Sequence, residues 1–243
     1  EVARLADVHL IDLHEPLYHR PDLFADALHP DAEGAQILAE TVYSAMTGNY
    51  GGLQLPAIYS SHMVIQRDKP FLLRGSADAG CKVTAPLGKE KQHTTAAPDG
   101  SWALTFKARK ATREPLTLTV TDGEATLTLT DILVGEVWLC SGQSNMYFKV
   151  WESAESAEAV ADNDLRLYNM EIPFHLSMVE WSDEHVDLAR NMDFYRPAQW
   201  QACDGENVRG FSSVAYNFGK MLREQLGVPV GLICNAIGGS PTE

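Results

Sequence analysis

Between Leu116 and Thr130 the chain alternates leucine or valine with threonine twice over, LTLTVT and then TLTLT, with Asp122-Gly123 between the runs. A period of two sends every apolar side chain to one face of an extended strand and every hydroxyl to the other. That suits a half-buried antiparallel sheet and would smear the apolar residues around a helix. Asp-Gly supplies the positive φ that a tight hairpin needs. Asp99-Gly100 has the same form, and Gly88-Lys89 is a weaker version of it. Residues 53–131 are therefore expected to form a small β-sandwich of about six to eight short strands.

The flanking segments have a different texture. In residues 1–47, VHLIDL (Val8 to Leu13) reads as a short buried strand, followed by the proline-punctuated loop HEPLYHRPDLFADALHP. DAEGAQILAETVYSAM then reads as an amphipathic helix. Ile37, Leu38, Val42 and Ala45 share one face, Asp31 and Glu33 lie in the first turn, and Gly48 suits the C′ position. Such a unit cannot bury both faces of a strand alone, so it reads as the end piece of something larger. From residue 132, ILVGEVWLCSG is an apolar strand leading into a long irregular stretch. A helix comes next, with Ser212 as cap and Gly227 at its end, and VPVGLICNAIGG is a second buried strand. Strand, helix, strand begins an α/β layer.

The formal net charge of −14, with no Lys/Arg cluster, argues against a nucleic-acid partner and gives no general steering of an anionic sugar. No apolar run approaches the roughly 20 residues of a bilayer span, so no membrane partner is expected. EVARLADVHL has neither a starting Met nor a signal-peptide pattern, and the chain is expected to begin inside a longer polypeptide. Cys81, Cys140, Cys203 and Cys234 are widely spaced and read as buried free thiols. The acidic run Ser182-Asp183-Glu184-His185-Val186-Asp187 invites a metal reading, but no second ligand set has matching spacing, and a solvated loop is expected. No metal or other cofactor is called for.

Three stretches could carry chemistry. Ser144, in Gly142-Gln143-Ser144-Asn145-Met146, falls just past a buried strand, where open α/β sheets bind ligands and helix-start N–H groups can hold an oxyanion. A loop serine is also commonly no more than a turn residue. Asp26 precedes His29 by three positions and can orient its imidazole as a general base, or the two can simply lie on the surface ahead of a helix that starts at Pro30. Gly238-Gly239 at a strand end lets backbone N–H groups approach a ligand, or makes an ordinary tight turn.

Taken together, these stretches resemble one family. GEVWLCSGQSNM and NAIGGSPTE resemble blocks I and II of the sialate O-acetylesterases, which are SGNH (GDSL-type) serine hydrolases. DALHPDAEGAQILAE resembles block V of an SGNH hydrolase, and LPAIYSSHMVIQRDKPFLLRGSADAG resembles the β-domain preceding block I in those esterases. The resemblance implies an α/β fold, with SGNH-hydrolase pieces of flavodoxin-like three-layer type flanking an all-β sandwich. It implies Ser144 as nucleophile, His29 as general base and Asp26 as its orienter. The oxyanion hole would use the N–H groups of Ser144 and of Gly239, with Gly238 the lesser choice. The reaction implied is removal of O-acetyl groups from a sugar or glycan through an acyl-serine intermediate, without cofactor, in the periplasm or outside the cell. Sialic acids are the expected substrate. Acetylxylan or another polysaccharide is the rival, and a non-catalytic carbohydrate-binding β-sandwich is the alternative of another class.

The order of the blocks is unusual, because block V here precedes the block I serine by about 115 residues. The expected organisation is the end of one esterase domain (1–47), a β-sandwich (53–131), and the head of a second esterase domain (132–243), with block III absent. Ser144 and His29 would then serve different sites, and the isolated chain would have little or no activity. A circular permutation joining them in one site is the alternative. Among the aromatics near the serine, Trp151, Trp181, Tyr195 and Trp200 are expected in the core or, less commonly, as a sugar-stacking wall.

Overall fold

A computed structural model describes residues 10–26, 28–154, 160–172, 182, 186, 188 and 195–239. Helix α1 (Ala32–Thr47) comes first, followed by strands β1 (Val64–Gln66), β2 (Phe71–Ser76), β3 (Lys82–Leu87) and β4 (Glu90–Thr95). Next are β5 (Ser101–Phe106), β6 (Thr112–Thr121), the long β7 (Thr126–Gly142) and the single turn α2 (Ser144–Tyr147). Strands β8 (Asp162–Met170) and β9 (Trp200–Cys203), helix α3 (Ser213–Leu226) and strand β10 (Val230–Ala236) follow, with short 3-10 turns at Glu15–Leu17, Pro21–Leu23 and Val150–Glu152.

The fold is mixed α/β, built on one large mixed sheet in the order β4-β3-β6-β7-β10-β8-β9, with β1 also paired to β7 and a separate β2–β5 ribbon. Strand β7 joins the two halves by changing partners along its length. Its first part is antiparallel to β6, from Thr121↔Thr126 to Thr112↔Val134, while Leu133 to Gly135 take β1 in parallel. From Glu136 to Gly142 it runs parallel to β10, which is itself parallel to β8. Alternation does its expected work in the antiparallel half. Leu118 and Val120 are fully buried, and they pack in one core with Val83 and Leu87 of β3 and with Leu73, Leu104 and Phe106 of the β2–β5 ribbon. In the parallel half, Leu165, Leu167, Val230, Leu232 and Cys234 pack one face into a second core, Tyr168 and Ile233 on the other face pack against the first, and Trp138 and Leu139 of β7 stay exposed.

Several sequence expectations need correction. Gly88-Lys89 and Asp122-Gly123 do close hairpins, with Leu87↔Glu90 and Thr121↔Thr126 paired across them. Asp99-Gly100 makes a turn, Gly100 N–H to Ala97 O at 2.9 Å, but this turn leads from β4 in the large sheet to β5 in the ribbon. Turn chemistry is local, whereas partner choice is set by packing. The first residues of the expected VHLIDL strand lie outside the described residues; Leu10 to Leu13 form no strand and pair with none among the described residues. The stretch after Ser144 is less irregular than expected, because β8 crosses it. That strand hides behind polar letters, DNDLRLYNM, although Leu165 to Tyr168 are all buried.

Helix ends follow local rules. Asp31 lies one residue before α1 as its N-cap, accepting from the Gly34 N–H at 2.9 Å, so Pro30 precedes the helix instead of opening it. Gly48 ends α1 at φ +74° and Gly227 ends α3 at φ +65°. The apolar face of α1 meets little: Ile37, Leu38, Val42 and Ala45 are only half-buried, and Tyr43 and Met46 are exposed.

Candidate active site

Strands β7, β10 and β8 end level with one another, since Ser141 is in register with Asn235 and Asn235 with Met170. Chain leaving the C-terminal end of a parallel strand is free of the ladder, which is why sites form there. Past Gly142 the backbone turns once. Tyr147 N–H reaches Gln143 O at 2.8 Å and Phe148 N–H reaches Ser144 O at 2.9 Å. Ser144 opens this turn and is exposed, and no hydrogen bond engages its hydroxyl among the described residues. The exit of β10 docks alongside: Ile237 donates its N–H to Gly142 O at 3.2 Å, and a β-carbon on Gly238 would lie 3.8 Å from the Tyr147 ring. Gly239 takes φ +82°, a conformation that favours glycine. The serine turn and the glycine turn are thus neighbours. Ser240 to Glu243 lie outside the described residues.

The segment after the serine turn is laced to the start of α3. Ser213 N–H donates to Phe148 O at 2.8 Å and Val150 N–H to Phe211 O at 3.0 Å. Lys149 is buried there, its Nζ 4.4 Å from the centre of the Tyr147 ring and 3.5 Å from the Glu171 carboxylate.

Asp26 and His29 form the expected pair on the loop before α1. His29 Nδ1 lies 2.7 Å from Asp26 Oδ2, and Asp26 Oδ1 accepts the N–H groups of Leu28 at 3.0 Å and His29 at 2.7 Å. The imidazole, then these backbone donors, lower the Asp26 carboxyl to about 2. An ionised Asp26 accepts a hydrogen bond from Nδ1–H, which leaves Nε2 as the nitrogen of the neutral ring that carries no proton. The side chain is 80% exposed, however, and no hydrogen bond joins it to Ser144. The Ser144 turn and the Asp26–His29 pair are each formed locally, and no hydrogen bond joins them.

The aromatics divide. Trp200 is core, its Nε1–H donating to Ile58 O at 2.9 Å, whereas Trp151 stands 54% exposed beside Gly210. Tyr195 donates its hydroxyl to Asn235 Oδ1 at 2.7 Å. Trp181, Asp183, Glu184, His185 and Asp187 lie outside the described residues. Cys140, Cys203 and Cys234 are buried free thiols, Cys81 is a half-buried one, and burial pushes Cys203 and Cys234 up to about 11, far from nucleophilic.

Sequence reasoning missed a second His–Asp pair. His62 Nδ1 lies 2.7 Å from Asp131 Oδ2, which also accepts from Arg166 Nη2 at 2.9 Å. Both His62 (φ +69°) and Asp131 (φ +54°) hold left-handed conformations. Nothing in the spacing of three residues so far apart signals the knot.

No family model matches the chain. It is 28% identical over 205 residues to the sialate O-acetylesterase of Rattus norvegicus, a match covering 79% of this chain and 37% of the relative. With the sialate O-acetylesterase of Homo sapiens it shares 33% identity over 127 residues, 49% of this chain and 22% of the relative. The solved structure of a carbohydrate acetylesterase from Xanthomonas citri superposes with a TM-score of 0.67 at 28% identity, covering 79% of this chain and 42% of that one. The chain thus matches well under half the length of these relatives.

Proposed function

We propose that the chain, a homologue of the sialate O-acetylesterases, is part of a serine esterase that removes O-acetyl groups from carbohydrate. The observation that carries this reading is the exposed Ser144 on the first turn past a buried parallel strand, with the Gly238-Gly239 turn docked beside it. In this reading the Ser144 hydroxyl attacks the acetyl carbonyl as a histidine takes its proton, and the N–H groups of Ser144 and Gly239 hold the oxyanion. The sugar hydroxyl leaves with a proton returned by the histidine, and water then releases acetate from the acetyl-serine by the same steps in reverse order.

We assign Asp26 and His29 to the end of one esterase domain and Ser144 to the head of the next, separated by a β-sandwich over residues 53–131. Two features support this division. The α1 face is half-bare, and among the described residues no strand pairs with Glu136–Gly142 of β7 on the side away from β10, leaving Leu139 exposed. A three-layer α/β arrangement would fill both. The family's substrates suggest sialic acids as the acetylated sugars and a periplasmic or extracellular setting.

A fluorophosphonate probe on the full-length protein tests the chemistry: rapid modification at Ser144, abolished in Ser144→Ala, is expected, and an unmodified Ser144 refutes the reading. Hydrolysis of p-nitrophenyl acetate by the 243-residue chain tests the division. A folded but inactive chain agrees with it, whereas activity lost in both Ser144→Ala and His29→Ala places the two residues in one site.

A further inference from the structure

Beside the serine turn, on the same end of the parallel strands, the protein has a cavity of about 330 Å³ lined largely by amides and carboxylates. Its polar lining comes from Asn169 and Glu171 at the end of β8, Gln199 and Gln201 around β9, and Glu206 and Asn207 in the loop beyond. Because β7, β10 and β8 end level, the cavity stands two strand spacings, about 10 Å, from the serine turn. A glycan seated in it would reach Ser144.

Its chemistry is that of a sugar site. Amide and carboxylate groups can accept and donate to several hydroxyls at once. Asn169 is held in place, its Nδ2 donating to Glu171 Oε1 at 2.7 Å and to Gly210 O at 3.3 Å, while its buried Oδ1 has no donor among the described residues. Gly210 lines the cavity, and the exposed Trp151 ring stands beside it, 3.6 Å from where a β-carbon would sit, offering the flat apolar surface on which a pyranose face packs.

The charge in the lining is one-sided. Among the described residues the lining holds the carboxylates Glu171 and Glu206 and no Lys or Arg, and the nearby Lys149 is buried and paired to Glu171. A sugar carboxylate would face these two carboxylates with no cation in the described lining to meet it.

We propose that this cavity is a subsite for an uncharged sugar residue of the glycan, adjoining the unit deacetylated at Ser144. It rests on the esterase reading and adds to it the class of the neighbouring sugar.

The test is calorimetric titration of the Ser144→Ala chain with lactose, xylotetraose, cellotetraose and mannotetraose, and with N-acetylneuraminic acid as the anionic comparison. Binding of at least one neutral sugar is expected, weakened at least tenfold by Trp151→Ala and by the double variant Gln199→Ala/Gln201→Ala. All three side chains are exposed, so the fold should tolerate their loss, and circular dichroism checks that it does. No binding of any neutral sugar, binding indifferent to both variants, or tighter binding of N-acetylneuraminic acid overturns the proposal. Binding is read without turnover, so its failure is separable from a failure of fluorophosphonate labelling, which would remove the esterase reading instead.

Discussion

Gly135 lies so close to Pro229 that a β-carbon on it would stand 1.9 Å from the Pro229 carbonyl oxygen. This is the point at which β7 leaves β1 and takes up β10, and Glu136 donates its N–H to that same carbonyl at 2.9 Å. The contact joins the antiparallel and parallel halves of the sheet.

Gly135→Ala should therefore be among the most damaging single methyl additions in the chain. The clash is with backbone, which cannot rotate away, so β7 and the entry to β10 must separate. A loss of about 2–3 kcal/mol is expected by urea denaturation, at the upper end of overpacking costs. A midpoint unchanged from wild type would mean that the two halves are not held at this point.

The Asp26 carboxyl, lowered from 3.8 to about 2, sets a pH window for the loop before α1. An acid with a depressed native pKa stabilises the native loop fully above its unfolded value, and the contribution fades as pH falls through the folded value. The order of Asp26–His29 should thus be intact above about pH 4 and lost on approaching pH 2. Carbon-13 NMR of the Asp26 carboxyl should titrate near 2, and in His29→Ala it should move up while staying below 3.8, because the two backbone donors remain. A midpoint unmoved by His29→Ala would show that the imidazole is not its main partner.

The features read correctly from the sequence are those decided within a few residues. Gly48 and Gly227 end helices because their φ values require it, Ser212 caps α3, and the Leu/Thr alternation of β6 and β7 buries Leu118 and Val120. The Asp26–His29 pair was legible for the same reason, being closed by a three-residue turn. The features that escaped depend on neighbours distant in the chain. Asp99-Gly100 looks like a hairpin but leads between sheets, Leu10 to Leu13 pair with no strand among the described residues, and β8 is disguised by an arginine. Arg166 can be buried in β8 only because Asp131 meets it, and Asp131 stands thirty-five positions earlier.

Removing that partner should be costly. The Arg166 side chain is 5% exposed, and it also donates to the carbonyl oxygens of Asn163 and Leu165. Asp131→Ala would leave a buried guanidinium without its counter-charge, a loss of about 2–4 kcal/mol when discounted for the partial exposure of Asp131. His62→Ala removes a more exposed partner and should cost about 1 kcal/mol or less. Denaturant midpoints of the two variants check the order. Equal losses would mean that the histidine, and not the arginine, makes Asp131 necessary.

Ser212 offers a comparison between a buried cap and an exposed one. Its hydroxyl accepts the Ala215 N–H at 3.1 Å in a fully buried setting, whereas Asp31 caps α1 toward solvent. In Ser212→Ala the Ala215 N–H is left in the core without an acceptor, and water cannot replace the lost oxygen. That should cost about 1–2 kcal/mol, against about 1 kcal/mol for Asp31→Ala, whose side chain is exposed. The backbone bonds that lace α3 to the segment after Ser144 do not use the hydroxyl, so they should survive the change. Ser212→Ala should accordingly lower the unfolding midpoint while leaving fluorophosphonate modification of Ser144 at its wild-type rate. A fall in that rate at temperatures where the variant is fully folded would instead make the Ser212 hydroxyl, through its 3.4 Å contact with Met146 Sδ, a positioning group for the serine turn.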